Sequence, residues 1–245
     1  MLKLTPEQIF NLTDSMIVSA FSSRNHGNMS LSYGDTRYSL ENRKNFLNNL
    51  DIDYRGLVCA KQIHASNIRY ATEEDRGRGA LTYDNSIKIT DAFITDKQNV
   101  PLAVFTADCL SIFLFDPTIP AIGLIHAGWR SSKENITAKT IKQMQKLFNT
   151  KPSNLHIGFG PVIRSCCCEV AKDFIDFFPK CVSERDGRYY LDLVRVNKGA
   201  ALDLGVKETN INDPKICTSC KNDEYFSYRK EGKSCGRLMS VMMLK

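Results

Sequence analysis

Val100-Pro-Leu-Ala-Val-Phe105, Ser111-Ile-Phe-Leu-Phe115 and Pro120-Ala-Ile-Gly-Leu-Ile125 are three short apolar runs, and how they are read decides the fold. Polar Thr106-Ala-Asp-Cys109 separates the first from the second, and Asp116-Pro117 marks a turn before the third. Short apolar runs bounded by turn residues read as buried strands. If the second and third are sheet neighbours, Cys109 before one and His126 after the other come together across 17 residues of chain.

Elements of both kinds extend outward from this centre. Upstream, Thr5-Pro6-Glu7-Gln8 reads as a helix start, Val18–Phe21 as a strand, and 39–50 as a helix with Leu40, Phe46, Leu47 and Leu50 on one side. Downstream, Ser131-x-x-Glu134 opens an amphipathic helix carrying Ile136, Thr140, Ile141, Met144, Leu147 and Phe148. Leu155–Ile157 then reads as a strand, and 169–178 and 192–204 as helices, the latter closed by Gly205. Segments 224–228 and 239–244 read as strands. With no internal repeat and no composition break, the expectation is an α+β fold. It would be one domain over residues 1–245, with mixed β-sheets packed in layers and flanking helices.

The chain has 245 residues, 42% hydrophobic and 24% charged, enough to build a core without metal or disulfide staples. A metal here would therefore serve chemistry rather than folding. The net charge of +6 is dispersed, and the one basic stretch, Arg69 to Arg78, is interrupted by Glu73, Glu74 and Asp75. This argues against a nucleic-acid partner and leaves a small anionic substrate compatible. No segment has the apolar length of a membrane span. Nine cysteines, with no secretory h-region near Met1, point to reduced thiols and a cytoplasmic protein.

Of four histidines, His64 and His126 adjoin strand-like runs. With Cys109 they supply the three imidazole or thiolate ligands that a catalytic zinc site uses, its fourth position left open. The same residues also allow a metal-free reading in which His126 is general base to a Cys109 nucleophile, or a plain one of core histidines and a buried thiol. Asp108 is a candidate to orient a histidine. Arg24, Arg43 and Arg130 are candidate anion ligands, since a guanidinium grips phosphate oxygens in pairs. Cys166-Cys167-Cys168 and Cys217-Thr-Ser-Cys220 lack a second CxxC and read as packed small side chains.

Several segments occur together and in order: Lys61-Gln-Ile-His64, Thr106-Ala-Asp-Cys109, His126-Ala-Gly-Trp-Arg130, Gly160-Pro161, Cys166-Cys167-x-Glu169-Val170 and Cys217-Thr-Ser-Cys220 through Arg229. In these the chain resembles the laccase-domain, or polyphenol-oxidase-like, family. Its members are described as purine nucleoside phosphorylases with adenosine deaminase activity, and some as editing factors for peptidoglycan precursors. The chain departs from the family pattern at Ser111, Ser131, Arg164 and Cys168, and in the Arg24–Gly27 loop. The resemblance implies zinc on His64, Cys109 and His126, with a nucleoside and phosphate as small-molecule partners. It implies Asp108 as an orienting group and an arginine on phosphate. The alternatives are a cysteine amide hydrolase acting on peptidoglycan precursors and a copper-dependent polyphenol oxidase. Four histidines are too few for both a blue-copper site and a trinuclear cluster, although copper competes with zinc for such ligands.

Overall fold

The computed structural model describes residues 9–10 and 16–245. The helix start expected at Thr5 lies outside the described residues. From the N-terminal side the elements are β1 (Ile17–Phe21), α1 (Thr36–Asn48), β2 (Val58–Cys59), β3 (Ile68–Tyr70) and β4 (Ala92–Thr95). The central runs become β5 (Leu102–Thr106), β6 (Leu110–Asp116) and β7 (Ala121–Ala127). Then come α2 (Trp129–Lys133), α3 (Ile136–Phe148), β8 (His156–Phe159), β9 (Glu169–Val170) and α4 (Phe174–Phe177). The chain finishes with β10 (Val182–Arg185), β11 (Arg188–Leu191), α5 (Leu193–Leu202), β12 (Ile211–Asn212), α6 (Tyr228–Glu231) and β13 (Leu238–Leu244).

The fold is α+β, as expected. A four-stranded sheet ordered β1-β13-β5-β2 packs against a six-stranded sheet ordered β12-β8-β6-β7-β4-β3, and β10-β11-β9 forms a small third sheet. The alternation of side chains along each strand explains the layers. On β6, Phe113 and Phe115 turn toward Leu102, Val104, Leu238 and Met242 of the four-stranded sheet. Ile112 and Leu114 turn the other way, onto Ile141, Met144 and Phe148 of α3. On the far side of the four-stranded sheet, Ala103, Met239 and Val241 meet Phe46 and Leu47 of α1. Each such fully buried large side chain contributes about 1.5–3 kcal/mol of hydrophobic stabilisation. The result is a helix, two sheets and a helical layer, with no described helix long and apolar enough to cross a membrane.

Local departures have local causes. The helix expected from Ser131 is split: α2 starts on Gly128, Asn135 turns left-handed at φ 60, and only then does α3 begin. Ser131 caps nothing downstream; its hydroxyl accepts from the Gly128 N–H at 3.0 Å. Helix α1 starts three residues early because Asp35 accepts from the Arg37 N–H at 2.8 Å. The helix expected over 169–178 is a two-residue strand followed by one helical turn, because Glu169 and Val170 pair with Tyr190 and Tyr189. The strand expected over 224–228 is a turn leading into α6, with Glu224 and Tyr225 both donating to the Lys221 carbonyl.

Candidate metal centre and cavity

The 17-residue gap between Cys109 and His126 is closed by sheet pairing. Strands β6 and β7 are antiparallel, with Leu110 opposite Ala127 and Ser111 opposite His126. Cys109 sits at the crossover from the four-stranded to the six-stranded sheet, where Asp108 adopts φ 83. His64 arrives from the loop after β2. Gln62 clamps that loop to β5 through a reciprocal pair of 2.8 Å bonds with the Phe105 backbone.

Asp91, fully buried just before β4, organises the centre. One carboxylate oxygen accepts from the His64 N–H at 2.9 Å and from His126 Nδ1 at 2.8 Å. The other accepts from the Ile63 and Ala65 N–H groups at 3.2 and 3.0 Å. Three successive amides folded onto one carboxylate explain why His64 holds φ 63. Because Nδ1 of His126 is taken by Asp91, its Nε2 is left for the cavity side, as in histidines that ligate metals. Burial raises the Asp91 carboxyl, but His126 and the loop amides outweigh it and leave the group below its usual value.

The three candidate ligand atoms lie within 4.8 Å of one another. Cys109 Sγ is 3.7 Å from His64 Nε2, and the two imidazole rings are 4.7 Å apart at 76°. Zinc bonds of about 2.3 Å to sulfur and about 2.05 Å to nitrogen, at tetrahedral angles, place sulfur about 3.6 Å from nitrogen. The residues therefore fit a three-ligand site with one open position. Burial opposes the Cys109 thiolate, yet His126 and His64 bring the thiol well below its ordinary value. Burial likewise opposes a charged His126, and Cys109 and Asp91 outweigh it.

Gly128 leaves room for this packing. A Cβ there would lie 2.8 Å from His64 Cδ2 and 3.3 Å from Cys109 Sγ. Its backbone, at φ −84, is open to any residue, so the constraint is space alone. Gly128→Ala is expected to weaken metal binding at least about tenfold while changing stability by less than about 1 kcal/mol. Competition against a chromophoric chelator, with a melting curve alongside, reads both quantities.

The centre opens into a cavity of about 630 Å³, within the range of small-molecule sites. Trp129 and Phe174, 5.0 Å apart, supply aromatic surface to its wall. Arg43 lines it from within and is only 2% exposed. Its guanidinium donates to the carbonyls of Met29, Gly79 and Ala80 at 2.8, 3.0 and 2.7 Å. Arg130 is exposed on the cavity lining, stacked 4.2 Å over the Trp129 ring. Arg229 and Arg237 also line the cavity, although neither was among the anion ligands expected from the sequence.

Two expected roles do not fit the geometry. Asp108 orients no histidine: its oxygens accept from Thr218 Oγ1 and the Arg229 N–H, both at 2.6 Å. At φ 83 Asp108 sits in a bend between the two strands, and its carboxylate is directed to Thr218 and Arg229. With Cys109 directed into the centre, Asp108 faces the C-terminal segment, and Asp91 holds the orienting position. Its only sequence signal was a carboxylate just before the apolar Ala92–Ile94.

Arg24 is not on the cavity. It donates to the Asn222 carbonyl at 2.7 Å and to Glu231 at 2.6 Å, and it lies over the Phe226 ring. Burial pushes the Glu231 carboxyl up, but Arg24 and the Ser227 N–H outweigh it and bring the group down to about 2. A depressed carboxylate stabilises the fold above its unfolded value near 4.5 and loses that contribution as pH falls toward 2. Since the side chain is 26% exposed, about 1–2 kcal/mol is expected. Urea unfolding of Glu231→Gln should show that deficit at pH 7 and little of it at pH 2.5. A deficit that is the same at both pH values would refute the linkage.

A family model described as multi-copper polyphenol oxidoreductase laccase matches residues 16–245, so the chain belongs to that family. The purine nucleoside phosphorylase YlmD of Geobacillus stearothermophilus is 30% identical, over 88% of this chain and 82% of the relative. The crystal structure of that organism's YlmD superposes with a TM-score of 0.90 at 28% identity, covering 97% of this chain and 99% of the other. A protein named adenosine deaminase RL5, from an unknown prokaryotic organism, is 26% identical over 80% of this chain and 78% of its own length.

Proposed function

We propose that this chain is a zinc-dependent purine nucleoside phosphorylase that also deaminates adenosine, with adenosine, inosine and methylthioadenosine as substrates. The observation that carries the reading is the His64, Cys109 and His126 set, held by Asp91 beside a nucleoside-sized cavity that is both aromatic and cationic. The names of the relatives supply the reaction class. A bound zinc ion would provide Lewis acidity and lower the pKa of water toward neutrality. Copper is the competing occupant of the same ligands.

The chain's own residues do the rest. Asp91 keeps His126 in one tautomer and fixes the His64 loop. Trp129 and Phe174 offer faces on which a purine stacks. Arg43 and Arg130 balance the phosphate that attacks the ribose anomeric carbon. Nine free thiols suit a reducing compartment, which supports the cytoplasm as the place of action.

The test uses metal-analysed protein with adenosine and phosphate, the products separated by chromatography. Adenine and inosine are expected from the wild type, and neither from Cys109→Ala. Equal traces from both proteins would end the proposal.

A second reading has one observation in its favour: Asp91, His126 and Cys109 also form the acid–base–thiol chain of a cysteine amide hydrolase acting on peptidoglycan precursors. It predicts a trappable acyl-thioester and activity that survives chelation. The zinc reading predicts activity lost on chelation and restored by zinc.

A further inference from the structure

Four thiols that the cavity chemistry leaves unused meet at the protein surface. Cys166 and Cys167 lie in the segment between β8 and β9, and Cys217 and Cys220 in the loop between β12 and α6. Backbone pairing brings the two segments together: Val162 bridges Cys217, and the Thr218 N–H donates to the Val162 carbonyl at 3.1 Å. Cys166 Sγ lies 3.5 Å from both Cys217 Sγ and Cys220 Sγ, and Cys167 Sγ lies 3.3 Å from Cys220 Sγ. All four sulfurs fall within 4.8 Å of one another.

The sequence suggested packed small side chains, and the exposure disagrees. Cys166 and Cys220 are exposed and only Cys217 is buried, so the cluster is not core. Thiols packed into a core escape reaction, whereas four converging at a surface form a ready soft-ligand set. With metal–sulfur bonds of about 2.3 Å, the sulfurs of a regular tetrathiolate lie about 3.8 Å apart. The three separations of 3.3–3.5 Å need only a few tenths of an ångström of outward movement to reach that spacing, and no pair exceeds 4.8 Å. The surroundings suit the double negative charge of such a centre. The Arg164 N–H donates to Cys217 Sγ at 3.5 Å, and the guanidinium groups of Arg185 and Arg229 bond the Ser165, Cys167 and Glu169 carbonyls of the first loop.

We propose that Cys166, Cys167, Cys217 and Cys220 bind one zinc ion as a closed tetrathiolate, with loss of the thiol protons. Four protein ligands leave no open position, so the role is structural. The ion staples the two loops beneath the cavity. Thr218, inside the CxxC turn, holds Asp108 next to Cys109, and Arg229 of α6, which follows the second loop, donates to the carbonyl of Cys167. The site rests on the cysteines alone; only the second ion in the wild-type count rests on the zinc proposed at His64, Cys109 and His126.

The test is the zinc content of full-length protein purified under reductant, stripped with chelator, reloaded and freed of excess metal. Two zinc ions per chain are expected for the wild type, and one each for Cys166→Ser/Cys220→Ser and His64→Ala/Cys109→Ala. Cobalt loaded into His64→Ala/Cys109→Ala should give intense visible ligand-field bands with thiolate charge transfer. Adding Cys220→Ser should cost most of that intensity. Alkylation of wild-type protein followed by peptide mass analysis needs no variant. Zinc should shield these four cysteines and chelation should expose them. Equal labelling with and without zinc, unchanged zinc content in Cys166→Ser/Cys220→Ser, or two disulfides in the zinc-loaded protein would each overturn the site.

Discussion

Asp91→Asn is expected to lower metal affinity about 10–100-fold and to destabilise the fold by about 3–5 kcal/mol, with loss of activity at limiting metal. Four donors converge on the two oxygens of Asp91: the amides of Ile63, His64 and Ala65 and Nδ1 of His126. An asparagine offers one oxygen to that set and turns an NH2 group onto donors. At least one loop amide or the imidazole then loses its acceptor in a buried place. The two effects are coupled, because the same carboxylate fixes the left-handed backbone at His64 and the tautomer of His126. Chelator competition gives the affinity and urea unfolding gives the stability. A variant with wild-type zinc affinity would remove Asp91 from the centre. A loss of stability with no loss of affinity would make it a support for the loop alone.

Arg43→Met is expected to raise the KM for phosphate at least about tenfold and to cost about 2–4 kcal/mol of stability. The guanidinium is buried, lies 4.7 Å over the Phe105 ring, and donates its hydrogen bonds to three backbone carbonyls. No acidic side chain among the described residues forms an ion pair with it. A buried cation beside a cavity and without a counter-ion is a place where an anion gains most. Methionine keeps much of the length but leaves three carbonyls without their donor, which sets the stability term. The binding term is separated from it by thermal shift: phosphate should raise the melting temperature of the wild type and leave that of Arg43→Met unmoved. Arg43→Lys should recover part of the phosphate response, since it restores charge without the fork. An unchanged phosphate KM in Arg43→Met would leave Arg43 a purely structural residue.

The reach of sequence reading follows the range of the forces involved. Strands β5, β6 and β7 were legible because their apolar runs and turn residues are local. The meeting of Cys109 with His126 followed from them, since neighbouring antiparallel strands fix the partner of every residue. Helix α5 was legible from Asp192 and Gly205, which cap its two ends. The 169–178 and 224–228 segments misled because pairing with distant chain, or a turn closed on Lys221, overrode a local pattern.

By itself the sequence determined the layered α+β arrangement, the membership of His64, Cys109 and His126 in one family pattern, and the shortage of histidine for laccase chemistry. Tertiary structure alone decided which carboxylate serves the histidines, Asp91 and not Asp108. It also turned Arg24 to Glu231 while leaving Arg43 on the cavity, and it gathered four cysteines from two loops. The physical reason is the same in each case. Apolar periodicity is written along the chain, whereas a hydrogen bond, an ion pair or a ligand set depends on where side chains from distant segments point. That direction is fixed only when the sheets pack.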